Sequence, residues 1–102
     1  MTLVGYVGDA RLHDGQILSV KVLQNERLSI IVRAYDDTIL ETVFSGVTRV
    51  ESIRPQGMML YGLAELQSDN DSRRFVFVNW DEHAENESSL QIWANDLSIA
   101  TL

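Results

Sequence analysis

Alternation of apolar and polar residues in short runs, interrupted by turn residues roughly every 8–12 positions, constrains this chain more than any other feature. Side chains on an extended strand point to opposite faces in turn, so each such run reads as a half-buried strand. From Gln16 to Leu23, Leu18, Val20 and Val22 fall on one face and Ser19 and Lys21 on the other. Gln24, Asn25 and Glu26 read as a turn. Arg27 to Tyr35 then repeats the pattern, with Leu28, Ile30, Val32 and Ala34 inward and Ser29, Arg33 and Tyr35 outward, so a hairpin is predicted. Asp36 and Asp37 tolerate left-handed turn geometry and precede a β-branched and aromatic run from Thr38 to Phe44. After Ser45 and Gly46, the segment Val47 to Arg54 is polar enough for an edge strand. Pro55 ends it, because proline has no amide hydrogen to give a ladder.

The segment from Met58 to Gln67 supports two readings. Met59, Leu63 and Leu66 fit a helical stripe, while Leu60, Ala64 and Leu66 alternate with Tyr61 and Glu65 as a strand would. Phe75, Val76, Phe77 and Val78 are apolar on both faces, which places Arg74 to Trp80 centrally in a sheet and covered on each side. Leu90, Ile92 and Ala94 alternate with Gln91 and Trp93, and Asn95 with Asp96 turns the chain into Leu97, Ile99 and Thr101. Thr2 to Gly8 adds an edge strand. The expected fold is mostly β: one domain over residues 1–102, an antiparallel sandwich or partly open barrel of about 7–8 strands, with a short helix over 58–67 as one of that segment's two readings.

Charge narrows the partners. Fifteen Asp and Glu against eight Lys and Arg leave a net charge of −7, which repels phosphate backbones and anionic lipid surfaces. The basic residues are scattered and form no stripe, so nucleic acid and membrane are excluded as expected partners. The first residues carry no cationic lead, and no run approaches the ~20 apolar residues needed to span a bilayer. With no cysteine in the chain, a cytoplasmic location is expected.

The same inventory removes several chemistries. Thiol catalysis and thiolate metal sites have no cysteine to use, and neither a Gly-x-Ser-x-Gly elbow nor a Gly-x-x-x-x-Gly-Lys phosphate loop is present. His13 beside Asp14 invites a general-base reading. Neighbours on an extended chain diverge, however, and Leu12-His13-Asp14-Gly15 reads as a turn with Gly15 supplying the positive φ. Asp81, Glu82 and His83 gather oxygen and nitrogen donors, but two histidines in the whole chain cannot build a three-histidine metal centre. Asp69, Asn70 and Asp71 lack the spacing of a calcium loop. No catalytic residue, metal or cofactor is assigned. The expected interaction surface is the acidic run Asp81, Glu82, Glu85 and Glu87 flanked by Trp80 and Trp93, since tryptophan gives much contact area at small entropic cost.

Leu12-His13-Asp14-Gly15 with Ile17, then Phe44-Ser45-Gly46-Val47 and Leu90-Gln91-Ile92-Trp93-Ala94, resemble small bacterial β-domain proteins, some of them grouped with the immunity proteins of polymorphic toxin systems. The resemblance implies a non-enzymatic binder. An acidic immunity protein would suit a basic toxin, its carboxylates standing where substrate phosphates go. Self-association through edge strands is the plainer form of the same expectation. The competing reading is a small-ligand-binding or hydrolytic β-sandwich using His13 and Asp14 or the Asp81–His83 cluster, and a concave pocket holding a histidine beside a carboxylate would favour it.

Overall fold

The computed structural model describes residues 3–7, 10–68, 72–79 and 89–102. Along them run β1 (Leu3–Tyr6), β2 (Gln16–Leu23), β3 (Arg27–Arg33), β4 (Ile39–Ser45), β5 (Arg49–Ile53), β6 (Leu60–Leu66), β7 (Arg73–Asn79), β8 (Ser89–Ala94) and β9 (Asp96–Thr101). A single 3-10 turn, Ala10–Leu12, follows β1. The strands make two antiparallel sheets, ordered β1-β6-β7-β8-β5 and β2-β3-β4-β9. The architecture is therefore an all-β sandwich with unclosed sheets, and its nine strands among the described residues exceed the expected 7–8.

Local sequence explains most of the turns. Asn25 and Glu26 both hold left-handed φ values, 62° and 58°, which lets the β2–β3 hairpin close tightly. Asp37 does the same at φ 67° between β3 and β4, and the Asp36 carboxylate accepts the Thr38 amide at 3.0 Å.

Two pairs of strands run on across the sandwich corner. Ser45 opposes Asp96 in one sheet, and Arg49 opposes Trp93 in the other. The β4–β5 and β8–β9 segments are thus two bent strands that change sheet together. At the bend, Gly46 has φ 65° and lies so close to Asn95 that a Cβ there would come within 2.4 Å of Asn95 Nδ2. Away from this corner the sheets are stitched where β2 begins: the Ile17 amide donates to the Met58 carbonyl at 3.0 Å, and the Leu60 amide to Gly15 at 2.7 Å.

The core lies between the sheets. Phe44 packs against Phe75 and Phe77 with ring centroids 5.2 and 5.9 Å apart, and all three are fully buried beside Ile30, Leu40, Leu90 and Ile92. Burial of such side chains contributes about 1.5–3 kcal/mol each. Thr42 is buried with them, its hydroxyl donating to the Ile30 carbonyl at 3.0 Å.

Several expectations need correction. Residues 60–66 are a strand, not a helix: β6 is laddered to β1 on one side and β7 on the other, and that pairing overrides helix propensity. A bulge between Leu60 and Gly62 then breaks the simple alternation, so Leu60 and Leu63 face the core. A second bulge between Ile17 and Ser19 shifts β2, so Ile17 is the buried residue while Val22 is 80% exposed. Ser29 alternates with the inward Leu28 and Ile30 as expected, yet it is buried, and its hydroxyl donates to Glu41 Oε2 at 2.7 Å. β7 is central, yet Val76 and Val78 on its outer side are only half-buried.

Candidate functional site

Of the residues expected to form an acidic interaction surface, Trp80, Asp81, Glu82, Glu85 and Glu87 lie outside the described residues, as do His83 and Asp69–Asp71. Trp93 is described and sits half-buried on the outer face of β8. Its immediate surroundings are cationic. Arg49 and Arg74, its register partners on β5 and β7, place their guanidinium carbons 4.9 and 5.2 Å from the indole. Arg49 is held by Glu51, and Arg74 donates to Gln91 Oε1 at 2.6 and 3.1 Å. Sequence reasoning missed these arginines because only strand register brings them to the tryptophan.

Strand β5 is the second feature. Among the described residues it is hydrogen-bonded to β8 alone and stands at the end of its sheet, with every residue from Arg49 to Ile53 exposed. Val50, which pairs with the fully buried Ile92, is itself 40% exposed, so this strand overhangs the core on its inner side as well. Edge strands are commonly blunted by a bulge, a proline or charged side chains, lysine above all. Bulges interrupt β1 and β2 in this way. Over Arg49–Ile53 the register is unbroken and contains neither lysine nor proline, and its two charged residues, Arg49 and Glu51, pair with each other.

The opposite edge of that sheet carries a cavity of about 540 Å³ lined by Tyr6, Val7, Ala10, Leu12, His13, Tyr61, Gly62 and Leu63. The rings of Tyr6 and Tyr61 lie 5.8 Å apart at 55°, and His13 meets Tyr61 edge-on at 5.1 Å and 81°. Gly62 leaves room for the Tyr6 ring, since a Cβ there would come within 3.2 Å of it. His13 Nδ1 donates to the Tyr61 carbonyl across the bulge of β6.

The expectation that His13 and Asp14 diverge does not hold. Asp14, not Gly15, takes the positive φ, 62°, and this left-handed turn brings Asp14 Oδ2 within 3.8 Å of His13 Nε2. Gly15 serves close packing instead: a Cβ there would meet Val32 and two carbonyl oxygens at 3.0–3.1 Å. The pair is half-exposed, and Asp14 is absent from the cavity lining. No serine, threonine or carboxylate side chain lines the cavity among the described residues, which also contain no group of three His, Asp or Glu able to hold a metal ion.

One ion pair stands apart from both features. Arg73 grips Glu65 through two hydrogen bonds of 3.1 and 2.9 Å, and this holds the Glu65 carboxyl below its ordinary range and raises the Arg73 guanidinium. It ties β6 to β7 and has a structural role.

No protein-family model matches the chain, and neither a curated protein nor a solved structure shows detectable similarity to it.

Proposed function

We propose that this chain is a non-enzymatic protein-binding module that takes up an extended segment of its partner along β5. The observation that supports this reading is the exposure of β5 at every residue, with one backbone edge outside any ladder among the described residues. Such an edge gives main-chain hydrogen bonds for affinity, while Val50, Ile53 and the arginine-flanked Trp93 supply side-chain contacts. In its most specific form the module is a cytoplasmic, acidic immunity protein that neutralises a basic toxin. The net charge of −7 and the Asp81, Glu82, Glu85 and Glu87 run then speed encounter while β5 fixes register.

A hydrolytic reading is weaker. Asp14, 3.8 Å from the His13 ring, is not among the residues that line the cavity, and no serine or threonine lines it among the described residues.

The test compares the wild type with Val50→Pro and Glu51→Pro against the partner recovered from the native host. Adjacent strand residues point their amides to opposite edges, so one variant removes an outward donor and the other a donor to β8. The outward variant should lose about tenfold or more in affinity, and reversing Asp81, Glu82, Glu85 and Glu87 to Lys should slow association and flatten its salt dependence. Wild-type affinity in both proline variants removes β5 as the docking edge.

A further inference from the structure

The cavity at the far edge of the five-stranded sheet is independent of β5. We propose that it binds a quaternary ammonium cation. Three rings inclined to one another, Tyr6, Tyr61 and His13, line it, and the other described residues of its wall are aliphatic or glycine. The negative face of a tyrosine ring attracts a cation most strongly where water is displaced, and several inclined rings around one cation are the arrangement that recognises alkylated ammonium groups.

Charge and hydrogen bonding narrow the class further. No lysine or arginine side chain lines the cavity among the described residues, the Asp14 carboxylate stands 3.8 Å from the His13 ring, and the chain carries −7, so an anionic ligand is disfavoured and a cation concentrated. A primary ammonium or a guanidinium would also bring several N–H donors that need acceptors once desolvated. The Tyr61 and Leu63 carbonyls each already accept one protein donor, from His13 and from the Val7 amide at 2.9 Å, and no carboxylate lines the cavity among the described residues to meet further N–H donors. Among the described residues, no buried side-chain nitrogen or oxygen is left without a partner. A quaternary ammonium brings no donor, so it fits a site whose described wall offers ring faces and methyl groups and no carboxylate.

The test titrates the whole chain with tetramethylammonium, choline and the uncharged isostere 3,3-dimethylbutan-1-ol, reading ring-proton NMR shifts of Tyr6, His13 and Tyr61. Both cations should give saturable shifts on these three residues, with choline bound about tenfold or more tighter than the isostere. Tyr61→Phe should keep choline affinity within about threefold, whereas Tyr61→Leu and Tyr6→Leu, checked for folding by circular dichroism, should each weaken it about tenfold. Equal binding of choline and its isostere would show an apolar cleft without cation selectivity and overturn the proposal. So would the absence of saturable shifts with either cation in the folded wild type. Neither outcome bears on β5.

Discussion

Gly46 and Gly57 offer a matched experiment on the sandwich corner. Both glycines hold positive φ, 65° and 88°, so alanine at either meets the left-handed penalty of roughly 1–2 kcal/mol, offset in part by a less disordered unfolded chain. Their surroundings differ. Gly57, in the turn that the Met58 amide closes onto the Pro55 carbonyl, has no atom of the described residues within 4 Å of an added Cβ. Gly46 would meet Asn95 Nδ2, Cγ and Cβ at 2.4, 2.9 and 3.0 Å, and rotating the asparagine cannot move its Cβ. The bent strands must therefore separate, an overpacking strain of about 1–3 kcal/mol beyond the backbone term. Gly57→Ala should lose about 1 kcal/mol and Gly46→Ala about 3 in urea unfolding, a gap worth about 10 °C in Tm. Pairing Gly46→Ala with Asn95→Gly should recover about 1–2 kcal/mol as a coupling term. Equal losses for the two glycines, or additivity with Asn95→Gly, would refute the claim that contact between the crossing strands sets this corner.

Other substitutions probe the remaining supports. Phe44→Ala, which empties the space between Phe75 and Phe77, should cost about 3–5 kcal/mol in urea unfolding. Thr42→Val keeps the shape and removes the bond to the Ile30 carbonyl, so about 1 kcal/mol should be lost, and an unchanged midpoint would mean that bond contributes nothing. Glu65 titrates below the ordinary glutamate value of 4.5 because Arg73 stabilises its charged form. Its contribution is therefore fully present above pH 4.5 and is lost as pH falls through the lower folded-state value. Arg73 is 40% exposed, so Glu65→Gln should cost under about 1 kcal/mol at pH 7, and the gap to wild type should close in strong acid. A gap constant from pH 7 to pH 3 would contradict this. In a Trp80→Phe background, Arg74→Ala should increase acrylamide quenching of Trp93 by uncovering the indole.

What the sequence made legible depended on whether the information was local. Leu28, Ile30, Val32 and Ala34 are all buried as their alternation requires, and Asp37 takes its left-handed turn, because a strand face and a tight turn are decided within a few residues. The β2 and β6 bulges were not legible. Each inserts one residue into an otherwise regular ladder, and nothing in Ile17-Leu18-Ser19 or Leu60-Tyr61-Gly62 distinguishes an extra residue from a paired one. Those bulges decide placement at the cavity: with an uninterrupted β6, the Tyr61 side chain would fall at a different register against β7. The His13–Asp14 contact was hidden for a related reason, since it depends on which of two neighbouring turn residues, Asp14 or Gly15, takes the positive φ.

Register also explains why net charge is a poor guide to local chemistry here. A chain carrying −7 nevertheless sets two guanidinium groups against Trp93, because β5 and β7 flank β8 and each presents an arginine at the level of the indole. An approaching basic surface would feel the acidic far field first and these arginines only on contact. In the complex proposed above, long-range charge would then set the association rate, while dissociation would depend on the β5 backbone, Val50 and Ile53. The two should separate experimentally: carboxylate reversals outside the edge should change the salt dependence of the on-rate, and substitutions within Arg49–Ile53 should change the off-rate at any ionic strength.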